Sequence, residues 1–234
     1  MPAQTLELAG LTTHIIGPAD ATLTLVLLHG FGAPGDDLVA LAQFLGPRVG
    51  HARFVFPEAP LELGGLYGDS RAWWLLDLAK LEQELRGGAI RDRRGEIPEG
   101  LAEARTQVTR LVEQLQARFQ IADDALVLGG FSQGAMLSLD VALHRDKKVG
   151  GLVLMSGTLI AEEAWAPRFP QVKDLPIVMS HGKHDQLLPY SIAEVLRDKL
   201  TAAGAKLEFH PFLGGHEIPM PVLVAIGDWL KARR

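Results

Sequence analysis

Short apolar runs alternate with longer amphipathic segments along most of the chain. Runs such as LTLVLL and LVLM are apolar at every position, which is typical of parallel strands covered by helices on both faces. An edge pair of strands is also predicted near 5–8 and 12–16. The main predicted strands are 22–28, 53–56, 125–128, 151–155, 177–180 and 206–210.

Helical periodicity occupies the intervals between these strands. In 99–119, apolar residues recur at helical spacing with charged residues between them, which predicts one long amphipathic helix. The predicted helices are 36–45, 99–119, 132–144, 191–203 and 221–232. Strands that alternate with helices predict the α/β class, with a mainly parallel, doubly wound sheet.

One long segment departs from this alternation. Residues 57–98 contain several glycines and no clear strand, and only 73–85 has the pattern of one or two helical turns. Connections of this length in α/β proteins are often functional lids or pocket walls. We therefore expect a single domain over 1–234, with an insertion at about 61–97 that forms one wall of a pocket.

Composition and charge restrict the classes of function. The 234 residues are 47% hydrophobic, carry a net charge of −5 and include no cysteine. The acidic balance argues against nucleic acid as a partner. The absence of cysteine excludes disulfides, thiolate nucleophiles and Cys-ligated zinc. No signal peptide and no membrane-spanning apolar stretch are readable, so a cytoplasmic protein without stable membrane insertion is expected.

A G-x-S-x-G motif lies between the predicted strand 125–128 and the predicted helix 132–144, at Gly130, Ser132 and Gly134. This strand–turn–helix setting is that of a nucleophile elbow, in which the serine hydroxyl stands exposed above the sheet. The flanking glycines are expected because the elbow leaves no room for Cβ atoms. The alternative is a tight turn whose serine has no catalytic role.

A serine nucleophile needs a base, and the base needs an orienting acid. Asp185 is predicted as the acid because it follows the strand 177–180 in a turn, although it could instead be an ordinary turn aspartate. His216 is predicted as the base because Gly214 and Gly215 deliver it after the strand 206–210. His184 is the rival, but it adjoins Asp185, so the two side chains would tend to diverge.

Two backbone amides are expected to stabilise the oxyanion of the tetrahedral intermediate. One is the N–H of Gln133, directly after the serine, and the other is the N–H of Phe31, in the glycine-rich loop after the first central strand. That loop has neither the register nor the lysine of a phosphate-binding loop. A metal site at His181, His184 and Asp185 is disfavoured because the histidines lack the helical spacing of zinc motifs.

The blocks LHGFG, GFSQGA, HGKHDQLLP and GGHEIP together resemble the phospholipase/carboxylesterase family of α/β-hydrolases, which includes acyl-protein thioesterases. The resemblance covers nearly the whole chain. It implies an α/β-hydrolase fold without a large separate cap domain and no cofactor or metal. It also matches Ser132, Asp185 and His216 to the family triad, and Phe31 and Gln133 to its oxyanion-hole positions.

Two differences from the family pattern fall where an acyl pocket is usually walled. Relatives carry a Trp-aromatic-Asp segment, whereas this chain has Trp73 and Trp74 with Asp77 placed later, and 80–95 is longer. The dense apolar group in this insertion predicts a pocket that holds an acyl chain, although ordinary core packing is the alternative. The predicted substrate-binding residues are Leu66, Trp73, Trp74, Leu187, Leu188 and Ile218.

The sequence therefore predicts a serine carboxylesterase that acts on short- to medium-chain esters through an acyl-enzyme. An acyl thioesterase or lysophospholipase with the same chemistry is the alternative. A non-catalytic binding module on the same fold is the alternative of a different class. The expected partner is a small-molecule ester, and the sequence leaves the choice between a monomer and a homodimer open.

Overall fold

A computed structural model describes residues 3–64, 68–77, 83, 86 and 92–233. Its centre is an eight-stranded sheet, whose strands are β1 (Ala3–Leu8), β2 (Leu11–Ile16), β3 (Leu23–Leu28), β4 (Ala52–Pro57), β7 (Leu126–Phe131), β8 (Gly151–Met155), β9 (Pro176–Gly182) and β10 (Lys206–Phe212). Across the sheet they follow the order β1-β2-β4-β3-β7-β8-β9-β10. A separate pair, β5 (Leu61–Glu62) and β6 (Arg71–Ala72), lies within the predicted insertion.

The six strands from β4 to β10 in this order run parallel, and β1 and β2 add an antiparallel edge. The predicted edge pair and all six predicted central strands are thus present, with ends that differ by up to three residues. Every residue of β3 and β4 is buried, because helices cover both faces of the sheet at its centre.

Helices cover the two faces of the sheet as separate layers. Within residues 3–64 and 92–233, the α-helices are α1 (Leu41–Val49), α2 (Leu101–Phe119), α3 (Gln133–His144), the short α4 (Glu162–Trp165), α5 (Tyr190–Ala202) and α6 (Met220–Lys231). One apolar core contains buried residues of α2, α3 and α5, and the other contains those of α1 and α6. The predicted doubly wound architecture is confirmed.

The first predicted helix was placed too early. The chain from Asp36 to Ala40 forms successive turns, and the α-helix begins only at Leu41. The N–H groups of Asp37, Val39 and Leu41 bond to carbonyls three residues earlier, whereas an α-helix uses the fourth preceding carbonyl. The apolar spacing alone did not distinguish these two hydrogen-bond patterns.

The predicted helical turns at 73–85 fall partly outside the described residues. Residues 73–77 form bends and irregular chain instead of helix, whereas residue 83 is helical as predicted. Trp73 and Trp74 are almost completely buried there, at 2% and 1% exposure. Two large aromatic side chains of the insertion therefore pack in the protein core, although the segment that carries them has no regular secondary structure.

Candidate active site

Ser132 lies in the sharp turn between β7 and α3, where the predicted elbow was placed. Its backbone angles are φ 54° and ψ −116°, a region that residues with a side chain rarely adopt. Cβ atoms added at Gly130 or Gly134 would overlap the carbonyl oxygen of Leu28 on the neighbouring strand. The expectation that both flanking glycines are needed for lack of space is confirmed.

Asp185 follows β9 in a tight turn and is 7% exposed. Its Oδ1 accepts hydrogen bonds from the backbone N–H groups of Leu187 and Leu188, at 2.9 and 2.8 Å. These two bonds fix the carboxylate and leave its second oxygen, Oδ2, available to another donor.

His216 follows β10, and its Nδ1 lies 2.7 Å from Oδ2 of Asp185. Because a carboxylate only accepts hydrogen bonds, Nδ1 carries the proton and the lone pair lies on Nε2. This is the tautomer that a general base needs, since Nε2 can then take a proton from a hydroxyl. His184 is exposed and forms no hydrogen bond with Asp185 among the described residues, so the geometry favours His216.

A second imidazole contacts the same carboxylate from the interior. His181 is completely buried, donates from Nε2 to the carbonyl of Leu188 at 2.7 Å, and lies 3.3 Å from Oδ2 of Asp185. Burial lowers the pKa of His181, so its ring stays neutral. Burial also raises the pKa of Asp185, but the hydrogen bond from His216 and the neighbouring groups outweigh it, and the net pKa is lowered.

The loops that carry the acid and the base pack directly against each other. The N–H groups of Lys183 and His184 donate to the carbonyls of Phe212 and Gly214, both at 2.9 Å. A Cβ atom at Gly182 would overlap the carbonyl oxygens of Gly214 and Gly215. The absence of a side chain at 182 thus allows the close approach that brings His216 onto Asp185.

Ser132 and His216 both line one cavity of about 580 Å³. The ring of His216 also packs on Phe131, the residue before the serine, with ring centroids 4.7 Å apart. The hydrogen bonds among the described residues do not include one between the Ser132 hydroxyl and His216. Such catalytic hydrogen bonds are often long or poorly aligned without substrate and tighten in the complex.

The two predicted oxyanion amides belong to loops in contact with each other. A Cβ atom placed on Gly30 would lie 3.4 Å from Cβ of Ser132, so the loop that carries Phe31 touches the elbow. Within the described part of the chain, no acceptor bonds to the N–H of Phe31 or of Gln133. Both residues line the cavity. These amides are therefore free to bind an oxygen of a bound molecule.

The cavity contains only some of the residues predicted to bind substrate. Trp74, Leu187 and Leu188 line it, but Trp73 and Ile218 are not among its described lining residues. Trp73 is buried and donates from its indole to the carbonyl of His29, in the loop that carries Phe31, and Ile218 packs against the core on the side of α1 and α6. Leu66 lies outside the described residues.

Sequence reasoning missed part of the apolar wall. Met136 and Ile160 line the cavity, together with Ile97 from the end of the insertion. Met136 follows Ser132 by four residues on α3, so the helical repeat could have placed it on the same face as the nucleophile. Ile160 and Ile97 carry no such local signal, because each reaches the cavity through an irregular segment.

No group of three or more metal-ligating side chains occurs among residues 3–64, 68–77, 83, 86 and 92–233. Nor does any described helix combine the length and the apolar character needed to cross a bilayer.

Comparison with known proteins identifies the family. A model of the phospholipase/carboxylesterase family matches residues 13–233. The chain belongs to the phospholipase/carboxylesterase family. Acyl-protein thioesterase 1 of Neurospora crassa is 28% identical over 219 residues, which cover 91% of this chain and 87% of that protein. The protein of the same name from Yarrowia lipolytica is 29% identical over 222 residues, covering 92% and 94%.

Solved structures agree with this assignment. The crystal structure of esterase PE8 superposes with a TM-score of 0.81 and 27% identity, over 96% of this chain and 99% of that chain. SOBER1 of Arabidopsis thaliana gives a TM-score of 0.71 and 25% identity, over 90% and 98%. The predicted α/β-hydrolase fold is confirmed, and the protein is a hydrolase of this family.

Proposed function

We propose that this hydrolase is a serine carboxylesterase that cleaves short- to medium-chain esters through an acyl-enzyme. Ser132 is the nucleophile, His216 the general base and Asp185 the orienting acid. The observation that carries the proposal is the 2.7 Å bond from His216 to a buried carboxylate, at the cavity that also holds a serine on a strained turn.

In the proposed mechanism, Nε2 of His216 takes the hydroxyl proton of Ser132 while the serine oxygen attacks the ester carbonyl. The tetrahedral intermediate collapses, and the imidazolium gives its proton to the departing alcohol. Water then repeats the sequence on the acyl-enzyme and releases the acid. Asp185 stabilises the transient imidazolium, and its lowered pKa keeps it ionised at neutral pH.

The amides of Phe31 and Gln133 are the proposed donors to the oxyanion. The N-terminus of α3, directly after the serine, adds a positive partial charge where the negative charge develops. Removing one such donor in comparable sites reduces kcat by about 10²–10³-fold. No step requires a metal or a cofactor.

The cavity supports an ester with an apolar acyl or alcohol group. Its volume of about 580 Å³ lies within the usual range for small-molecule sites, and its wall is mostly apolar. We further propose that the insertion at about 61–97 walls this cavity within a single domain spanning 1–234. Support comes from the described lining residues of that segment, which are Trp74, Leu75, Leu76, Asp77, Arg93, Glu96 and Ile97.

An acyl thioesterase is the second candidate within the same chemistry. The observation that favours it is the similarity to two proteins named acyl-protein thioesterase 1, each matched over most of its length. Matched oxygen and thiol esters of the same acyl chain distinguish the two activities. An esterase shows the higher kcat/KM on the oxygen ester after correction for the intrinsic reactivity of the thiol ester.

The deciding experiment measures hydrolysis of 4-nitrophenyl butyrate by the wild type and by Ser132→Ala. We expect the variant to lose the activity by several orders of magnitude while it keeps its fold. A fluorophosphonate probe should attach to Ser132 alone. Equal rates in both proteins would exclude this nucleophile, and no rate in either across a panel of chain lengths would favour a binding module.

A further inference from the structure

The side chain of Gln133 bonds to the aromatic segment of the insertion. Its Oε1 accepts from the backbone N–H of Trp73 at 2.9 Å, and its Nε2 donates to the carbonyl of Trp74 at 2.9 Å. Gln133 is 2% exposed, so both bonds are shielded from water. Gln133, whose backbone N–H is a proposed oxyanion donor, therefore also binds the neighbouring segment through both polar atoms of its side chain.

Trp73 extends this connection to the other oxyanion loop. Its indole Nε1 donates to the carbonyl of His29 at 3.0 Å. His29 is the last residue before the Gly30–Phe31 peptide and is 1% exposed. Trp73 thus bonds through its backbone N–H to the side chain of Gln133 and through its indole to the loop that carries Phe31.

The ring of His29 fixes the peptide that supplies the second amide. Its Nε2 lies 3.0 Å from the backbone N–H of Ala59, which can only donate, so Nε2 accepts and Nδ1 carries the proton. Nδ1 donates to the carbonyl of Gly30 at 2.8 Å. That carbonyl and the N–H of Phe31 belong to one planar trans peptide, so holding one fixes the direction of the other.

Backbone pairing with the insertion holds the rest of the oxyanion loop. The N–H of Gly32 donates to the carbonyl of Arg71, and the N–H of Arg71 donates to the carbonyl of Ala33, both at 2.9 Å. The guanidinium of Arg71 is held in turn by Glu58 at 3.1 Å and by the carbonyl of Ala59 at 3.1 Å. The loop of Phe31 is therefore bonded to β6 of the insertion at two positions, Gly32 and Ala33.

We propose that His29, Trp73 and the side chain of Gln133 form an oxyanion brace, a set of positioning residues that holds the amides of Phe31 and Gln133 in a fixed relation. None of the three side chains needs to touch the substrate for this role. The inference rests on the proposed function, because it assigns those two amides to the oxyanion. It adds that the insertion positions the catalytic donors as well as walling the cavity.

The brace makes a specific kinetic prediction. Fixed donors stabilise the transition state because they need no reorientation when charge develops, whereas the uncharged ester gains little from them. Loosening the brace should therefore lower kcat and leave KM nearly unchanged. General damage to the cavity would instead raise KM, and general unfolding would reduce the amount of active enzyme without changing kcat per active site.

The experiment compares Trp73→Phe and Gln133→Met with the control Trp229→Phe. The first removes one hydrogen-bond donor and keeps an aromatic ring. The second keeps the side-chain length and removes both polar contacts. Trp229 is a buried tryptophan of α6 whose indole N–H has no partner among the described residues, so its replacement tests the loss of an indole alone. Active sites are counted with a fluorophosphonate probe.

We expect kcat to fall about 10-fold in Trp73→Phe and about 100-fold in Gln133→Met, with KM within about 3-fold of the wild type. A trifluoromethyl ketone forms a tetrahedral adduct with the serine, so its affinity should fall by the same factors. The double variant should stay within about 3-fold of Gln133→Met, because the two residues act through one connection. Trp229→Phe should keep the kcat of the wild type.

A variant pair at His29 tests the brace from its other end. His29→Asn retains an N–H group close to the position of Nδ1, whereas His29→Leu retains none. We expect His29→Asn to keep a kcat several-fold higher than that of His29→Leu.

Several results would overturn the brace. These are an unchanged kcat in Trp73→Phe, an equal loss in Trp229→Phe, a change in KM alone, or fully multiplicative losses in the double variant. If the wild type hydrolysed no ester and Ser132→Ala matched it, the proposed function itself would fail. An active wild type with an unaffected Trp73→Phe would reject the brace and leave the proposed function standing.

Discussion

The two sides of the candidate active site are held in different ways. On the acid–base side, Asp185 and His216 each follow a strand of the main sheet, and the buried carboxylate of Asp185 accepts a hydrogen bond from His216. On the proposed oxyanion side, neutral hydrogen bonds from the segment at 71–74 hold the loop of Phe31 and the side chain of Gln133. One side depends on the sheet and on charge, and the other depends on an insertion.

This difference has a physical consequence. The carboxyl ends of adjacent parallel strands lie at one edge of a sheet, so β9 and β10 bring their loops together wherever the fold forms. The segment at 71–74 has no such support beyond a two-residue strand, and its position depends on individual side-chain contacts. We therefore expect changes on the acid–base side to have the larger effects on catalysis.

Between the two sides, the largest effect is expected from Asp185→Asn. The amide can donate to Nδ1 of His216 and so favour the wrong tautomer, a change that lowers kcat by about 10⁴-fold in a Ser-His-Asp triad. We expect a loss of similar size here, about a hundred times that of Gln133→Met. The measurement is kcat on 4-nitrophenyl butyrate per titrated active site.

The control for this prediction is Asp228→Asn, which removes a surface ion pair with Arg48. It should change kcat by less than about twofold, since exposed pairs contribute little. A loss in Asp185→Asn no larger than that in Trp73→Phe would contradict the proposed order of the two sides.

The second prediction concerns the packing that joins the acid and base loops. Gly182→Ala places a methyl group against the carbonyl oxygens of Gly214 and Gly215, so one loop must move. We expect a loss of about 3 kcal/mol in the free energy of unfolding together with a lower kcat. Chemical denaturation followed by tryptophan fluorescence measures the first quantity.

Gly215→Ala is the matched control, because a Cβ atom there meets nothing within 4 Å. Its free energy of unfolding should stay within about 0.5 kcal/mol of the wild type. Equal destabilisation in both variants would mean that the close approach at Gly182 is not what joins the loops.

The third prediction tests the wall shared by both sides. Met136 lies one turn after Ser132 on α3 and lines the cavity. Met136→Ala enlarges the cavity, so kcat/KM should shift by about 10-fold in favour of longer acyl chains over butyrate. Met220→Ala, at an exposed residue outside the described lining, should leave the chain-length profile unchanged.

The smallest effect expected is on the pH dependence of stability. Burial lowers the pKa of His29 on the oxyanion side and of His181 on the acid–base side. In both cases the unfolded chain binds the proton first as the pH falls below 6.5, so the free energy of unfolding decreases. Replacing either histidine by glutamine should reduce this decrease, as measured by denaturation between pH 7.5 and 5.

Asp185 adds a second pH window to the acid–base side alone. Its lowered pKa stabilises the folded state above the ordinary value of 3.8, and this contribution disappears as the pH falls through the folded value. Asp185→Asn should remove that acid-range dependence, whereas Gln133→Met should retain it. A similar acid-range profile in the two variants would contradict the assignment.

The local pattern of the sequence determined most of the fold. Fully apolar runs predicted the central strands, and the strand–turn–helix context of Gly130, Ser132 and Gly134 predicted the elbow. Both signals are local in the sequence, because the apolar run of a strand and the steric limits of a turn each involve only a few consecutive residues. The same logic placed Asp185 and His216 on loops after strands, and the structure brings them within 2.7 Å.

Only the tertiary structure decided how the insertion contributes. The sequence predicted that Trp73 and Trp74 both bind substrate, but Trp74 lines the cavity while Trp73 bonds to the backbone of His29. The hydrogen bonds of Gln133 to residues about sixty positions earlier also have no signal in the sequence. The sequence of a segment without hydrophobic periodicity does not indicate where the segment lies in the fold. The hydrogen-bond partners of its side chains are therefore known only from the tertiary structure.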